Sequence, residues 1–235
     1  MPVSGKTRLF LFDVDGTLIT AHGAGRRALE AAMRATYGTA GDVDRYDFRG
    51  KTDPLIVSEL VTGAGIPSRA VEDRLDACFE AYADFLQALL ADGHPVDVIP
   101  GVAAVVEQLS RHPDALLGLL TGNVRRGAEL KLGGTGLLPF FPIGAYGSDD
   151  RDRRRLPAIA RGRAEAAHGL AIPFDQITVI GDTPLDVDCA HACGACAVAV
   201  ATGQHSSEEL AACSPHLLLP GFQDTEAVIA ALLGP

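Results

Sequence analysis

No apolar run in this chain approaches the ~20 residues that a helical membrane crossing needs, so no membrane partner is expected. Positive charge is scarce as well. Lys and Arg together number 20 against 30 Asp and Glu, giving a formal net charge of −10. That balance opposes a general nucleic-acid or anionic-surface binder, whose affinity depends on basic surface. Five cysteines are an odd number, and three of them crowd between Cys189 and Cys196. This is a poor disulfide framework, and a reducing cytoplasm is the simpler setting. The opening residues MPVSGKTR lack the apolar stretch of a secretory signal. Internal repeats and low-complexity tracts are also missing. What is plentiful is apolar material, 47% of the 235 residues against 21% charged, enough for a substantial core and too much for general disorder.

In the stretch Arg8–Leu18, RLFLFDVDGTL, Leu9, Phe10, Leu11 and Phe12 form a continuous apolar run, as in a strand buried on both faces of a parallel sheet. Asp13 lies where that strand leaves the core, and Asp15, Gly16 and Thr17 follow. From about Thr20 to Pro95 the periodicity is helical, over Ala24–Tyr37, Pro54–Leu60 and Val71–Leu90, with no convincing strand. From Val96 onward, apolar strands alternate with helices. Strands are expected at Ala115–Leu120, Ile143–Tyr146, Ile177–Ile180, Cys196–Val200 and Leu217–Leu219. The helices between them are expected at Val102–Leu109, Arg125–Leu132, Pro157–His168, Leu185–Cys193 and Thr225–Leu233. The alternation implies right-handed crossovers and an α/β fold of Rossmann-like, three-layer form around a parallel sheet. Residues 1–19 and 96–235 then form the core, and residues 20–95 an inserted all-α unit.

Two further strand ends carry compatible chemistry. One runs into Thr121-Gly122-Asn123, offering a hydroxyl and free backbone N–H groups to an anion, although Asn123 would also serve as a helix cap. The other runs into Gly181-Asp182-Thr183-Pro184-Leu185-Asp186. All three would meet at the carboxyl edge of one sheet, where ligands bind in open α/β folds. Asp13, Asp15, Asp182 and Asp186 would repel one another there unless a hard cation were present, and Mg²⁺ with oxygen ligands is the natural occupant.

Asp13-Val-Asp15-Gly16-Thr17, Thr121-Gly122-Asn123 and Gly181-Asp182-Thr-Pro-Leu-Asp186 resemble the first, second and fourth motifs of the haloacid dehalogenase (HAD) superfamily. The helical insertion resembles the C1 cap of its phosphoglycolate phosphatase and β-phosphoglucomutase group. The resemblance implies a Mg²⁺-dependent phosphatase acting on a small phosphorylated metabolite, a phosphoglycolate-like monoester first. Asp13 would be the nucleophile and Asp15 the general acid and base. Thr121, Gly122 and Asn123, with Gly16 and Thr17 beside them, would hold the phosphoryl group. The metal would lie on Asp13, the main-chain carbonyl of Asp15, and Asp182, with Asp186 close by. A phosphomutase or a catalytically silent HAD-like binding protein are the alternatives. Dehalogenases and phosphonatases lack an aspartate equivalent to Asp15.

One motif departs from the pattern. The usual lysine of the third motif is absent, because no lysine follows Lys131. An arginine in Asp149–Pro157 is expected to supply the charge: Arg153 fits a DRxxL pattern of some relatives, Arg155 fits the spacing to the next motif, and Arg153 is the reading taken. In the insertion, Arg49-Gly50-Lys51-Thr52-Asp53 resembles a cap loop that reaches over the site, with Lys51 or Arg49 reading a substrate charge. Thr52 or Asp53 would also cap the helix at Pro54. The Cys189-Ala-His191-Ala-Cys193-Gly-Ala-Cys196 stretch reads as buried thiols, since its CxxC begins at a helix C-terminus rather than the N-terminus that favours a thiolate. Nothing in the sequence fixes an oligomeric state beyond monomer or homodimer.

Overall fold

The computed structural model describes residues 7–234, so the reading of the first six residues lies outside it. The chain runs β1 (Arg8–Phe12), β2 (Ile19–Thr20), α1 (Ala24–Tyr37), α2 (Asp53–Gly63), α3 (Ser68–Glu72), α4 (Leu75–Ala91) and β3 (Asp97–Val98). It continues α5 (Val102–Ser110), β4 (Ala115–Thr121), α6 (Arg125–Leu132), β5 (Ile143–Tyr146), α7 (Leu156–His168) and β6 (Ile177–Gly181). The last elements are α8 (Pro184–Cys193), β7 (Cys196–Val200), α9 (Ser207–Ala212), β8 (Leu217–Leu219) and α10 (Thr225–Leu233).

Six strands form one parallel sheet in the order β5-β4-β1-β6-β7-β8. The apolar opening run is buried because β1 lies inside the sheet with a core on each face. Phe10 and Phe12 belong to one hydrophobic cluster with α5 and α10, and Leu9 and Leu11 to the other with α7 and α8. Strand period 2 thus divides four consecutive apolar residues between two layers. Register does the rest: Phe12 lies opposite both Leu119 of β4 and Ile180 of β6. The three motif-bearing strand ends therefore reach the same sheet edge side by side.

Helices α1, α2 and α4 pack about a third cluster of their own, including Leu29, Met33, Ile56, Val57, Tyr82 and Leu86. This helical unit is tied at its neck by an antiparallel ribbon, Ile19 opposite Val98, which the sequence reading did not include. Two-residue strands leave no periodicity to detect. The expected helix Val71–Leu90 is split at residues 73–74 into α3 and α4. There Arg74 turns its guanidinium back onto the carbonyls of Ala70 and Thr36. Helix α9 is also additional; Ser206 and Glu209 form its capping box.

Phe12 is fully buried and meets Phe141 edge-on, ring centroids 5.7 Å apart. Phe12→Ala should lower stability by about 3–5 kcal/mol through lost burial and the cavity left behind. A urea titration will show this as a lower midpoint at unchanged slope.

Candidate active site at the sheet edge

Asp13 continues the sheet past β1, its N–H donating to the carbonyl of Ile180 at 2.9 Å. The chain must then turn sharply. Gly16 adopts φ +83, and a Cβ there would come within 2.3 Å of an Asp182 carboxylate oxygen. Glycine is therefore required twice over, for the backbone conformation and for the close approach. Thr202 Oγ1 donates to the Gly16 carbonyl at 2.6 Å, and Thr17 Oγ1 donates to Asp182 Oδ1 at 3.2 Å. Gly203 closes the other side of Asp182, where a Cβ would lie 1.7 Å from Oδ2.

Asp13, Asp182 and Asp186 are all buried, and each places a carboxylate oxygen within 4.8 Å of the others. Such crowding carries an electrostatic cost. Burial pushes Asp13 up to about 6, with Arg153 opposing and Asp186 adding to the rise. Burial, then Asp13 and Asp186, hold Asp182 well above the usual carboxylate range. Asp186 has its own partners: Oδ2 accepts from Thr183 N and Oγ1 at 3.0 and 2.7 Å, capping α8.

One cation enters this cluster among the described residues. Arg153 lies in a single 3-10 turn, Arg153–Arg155, and its Nη2 stands 2.5 Å from Asp186 Oδ1 and 3.1 Å from Asp13 Oδ1. Its Nη1 donates to the Gly50 carbonyl at 3.0 Å, while its buried Nε has no hydrogen-bond partner. The neighbouring arginines point elsewhere, Arg154 to Asp188 and Arg155 to Asp150.

From the β4 end, Thr121 Oγ1 accepts from Asn123 N at 3.3 Å and Asn123 Nδ2 at 2.8 Å. Asn123 does not cap α6. Its amide instead donates to Asp15 Oδ2 at 2.8 Å, and the cap position falls to Val124, whose N–H donates to Asp53 Oδ2 at 2.8 Å. Asp15 turns away from the carboxylate trio towards Asn123 and Lys131. These groups line a cavity of about 860 Å³ between the sheet edge and the helical unit.

The model of the haloacid dehalogenase-like hydrolase family matches residues 7–194 of this chain. The chain is a haloacid dehalogenase-like hydrolase. A curated phosphoglycolate phosphatase from Photorhabdus laumondii is 22% identical over 226 residues, 94% of this chain and 92% of that protein. A protein from Dickeya dadantii named "Probable phosphatase IndB" is 25% identical over 232 residues, 96% and 94% of the two chains. The crystal structure of a hydrolase from Pseudomonas syringae superposes with a TM-score of 0.73 at 20% identity, covering 96% of this chain and 99% of that one. A structure described as "Putative beta-phosphoglucomutase from Bacteroides vulgatus" superposes with a TM-score of 0.71 at 18% identity, covering 97% of this chain and 89% of that one.

The loop 49–53 of the helical unit is docked on the core. Asp53 N donates to the Gly122 carbonyl at 2.8 Å, and Thr52 Oγ1 donates to the Arg151 carbonyl at 2.7 Å. Thr52 also caps α2, accepting from Leu55 N. Arg49 and Lys51 line the cavity but already hold counter-charges. Asp47 takes Arg49 at 2.8 Å, and Glu59 takes Lys51 at 2.8 Å with Tyr46 beneath it. The five cysteines are free, and burial raises Cys189 and Cys193 away from thiolate reactivity.

Lys131 is the site residue that sequence reasoning missed. It is 4% exposed, and its Nζ lies 2.6 Å from both Asp15 Oδ2 and Asn123 Oδ1. The signal was available: the inward face of α6 reads Gly127, Ala128, Lys131, Leu132, with one charge at core spacing.

The raised carboxylates fix a pH dependence. Unfolded aspartate ionises near ~4, whereas folded Asp13 and Asp53 ionise at about 6. Between these values the native state holds the extra protons, so their contribution is full below ~4 and is lost as pH rises from there through about 6. In chelator-treated protein the melting temperature should therefore fall from pH 5 to pH 7.5. Asp182→Asn should flatten that fall, since it removes one member of the trio.

Proposed function

We propose that this hydrolase is a Mg²⁺-dependent phosphatase that cleaves a small phosphorylated metabolite through an aspartyl-phosphate on Asp13. The observation that carries the reading is the division of the two strand-end aspartates. Asp13 lies among buried carboxylates beside Arg153, and Asp15 lies two residues on in a separate hydrogen-bonded setting.

In this reading Asp13 attacks phosphorus, and Asp15 protonates the leaving oxygen and then activates the hydrolytic water. The Thr121 hydroxyl and the N–H of Gly122 would serve the phosphoryl oxygens, while the Asn123 N–H holds Thr121 Oγ1 in place. Arg153 neutralises the cluster as the nucleophile approaches an anion, and its unpartnered Nε suits an oxygen acceptor. The donor set fits a hard cation: one arginine offsets three buried carboxylates, and Asp182 keeps Oδ2 walled by Gly16 and Gly203. Asp13, Asp182 and the main-chain carbonyl of Asp15 would hold Mg²⁺. Bound there, the ion would supply charge compensation between carboxylate and phosphate.

The helical unit, residues 20–95, acts in this reading as a cap that closes the cavity against water. Since Arg49 and Lys51 are already paired with Asp47 and Glu59, a substrate carboxylate would have to compete for them. Phosphoglycolate-like esters therefore belong in a panel with larger neutral monoesters. The five free thiols suit a cytoplasmic setting.

Phosphate release across that panel, with and without Mg²⁺, is the test. Wild type should turn over at least one ester only with the metal, and Asp13→Asn should abolish it. Arg153→Ala should cost about 100-fold in kcat, the scale of losing a charge-stabilising donor, whereas Arg155→Ala should change kcat less than about two-fold, as for an exposed ion pair. Mg²⁺ should also raise the melting temperature of wild type at pH 7.5 and not that of Asp182→Asn. A product that is an isomerised phosphate ester, without free phosphate, would favour the mutase instead.

A further inference from the structure

We infer that Lys131 is a positioning residue that fixes which atoms of Asp15, Asn123 and Thr121 meet the substrate, an inference that rests on the phosphatase reading above. A buried ammonium must be paired, and an ammonium can only donate. Lys131 Nζ donates to Asn123 Oδ1 and Asp15 Oδ2, both at 2.6 Å. The first contact settles the orientation of the Asn123 amide. With Oδ1 committed to the lysine, Nδ2 must face Asp15 Oδ2 and Thr121 Oγ1, and it bonds to both at 2.8 Å. Thr121 Oγ1 accepts a second N–H from the Asn123 backbone, so its own proton is left for a phosphoryl oxygen.

The second contact divides the Asp15 carboxyl. Oδ2 accepts from Lys131 and Asn123 together, while Oδ1 accepts no hydrogen bond among the described residues. The lysine thus reserves Oδ2 as the anchor and leaves Oδ1 to give a proton to the departing oxygen and recover one from water. The helical unit encloses this anchor. A Cβ on Gly25 of α1 would lie 2.9 Å from Lys131 Nζ, and Gly127 lets the Tyr82 ring of α4 lie against α6. The charge expected of one third-motif lysine is shared here between Arg153, on the nucleophile side, and Lys131, on the acid–base side.

Benzyl, phenyl and p-nitrophenyl phosphate have leaving groups of similar size that need the proton to sharply different degrees. General acid catalysis is worth ~100-fold or more to a poor leaving group, so Lys131→Met should lower kcat/KM for benzyl phosphate at least about ten-fold more than for p-nitrophenyl phosphate. Asp15→Asn should show the same ordering, and adding Lys131→Met to it should cost little further. Lys131→Gln, neutral and still able to donate, serves as the second variant should the methionine protein not fold. Independently of turnover, the Asn123 side-chain amide resonances should shift or broaden in either variant. Equal losses on all three esters, or an unmoved Asn123 amide, overturn the inference alone. A wild type inert on all three with Mg²⁺ overturns the phosphatase reading and this inference with it.

Discussion

Crowded negative charge at one sheet edge is the constraint on which the rest of this structure depends. The register of β1 between β4 and β6 delivers Asp13 and Asp182 to neighbouring positions, and α8 adds Asp186 from its first turn. Buried carboxylates at such distances are unfavourable unless they are neutralised, protonated or bridged. The chain uses the first means in part, through Arg153, and the raised Asp13 and Asp182 record what remains. A site left electrostatically incomplete in this manner is suited to binding a cation and a phosphate together, because each offsets the other's charge.

Arg153 has a second consequence. Its planar guanidinium reaches three acceptors at once: Asp13, Asp186 and the Gly50 carbonyl in the loop 49–53 of the helical unit. A lysine ammonium is a compact point charge and would not span that fork. The same loop bonds to the Gly122 carbonyl through Asp53 N, and Asp53 also caps α6 through Val124. This loop is thereby joined to the β4 end directly and to Asp186 of α8 through Arg153. In the proposed reaction, enclosure of the cavity and alignment of the charged groups are one arrangement.

Much of this was legible in the sequence, for physical reasons. Fully buried parallel strands are continuous apolar runs, so β1, β4, β6 and β7 announce themselves, and polar residues directly after such runs must lie at the sheet edge. The arginine run was less legible because Arg153, Arg154 and Arg155 occupy one 3-10 turn. Neighbouring side chains there diverge, one into the cluster and two to exposed aspartates. Lys131 was missed because a lysine late in a helix ordinarily complements the helix dipole at the surface. Only its place beside Gly127, Ala128 and Leu132 on the inward face marks it as different. The β2–β3 ribbon has no period to read, and α9 buries only Leu210, leaving its capping box as the sole cue. Arg49 and Lys51 resemble substrate contacts and do line the cavity, but Glu59, which pairs with Lys51, meets it only in the folded helical unit.

The central claim is that the buried aspartate at the end of the first strand takes the phosphoryl group onto itself. Acid-quenching the protein during turnover, reducing with borohydride and mapping the peptides by mass spectrometry addresses it directly. An acyl phosphate is reduced at its carbonyl, so position 13, and no other aspartate, should appear as homoserine, dependent on both substrate and Mg²⁺. Steady phosphate release with position 13 unmodified, or modification at Asp15, Asp182 or Asp186 instead, would contradict the account.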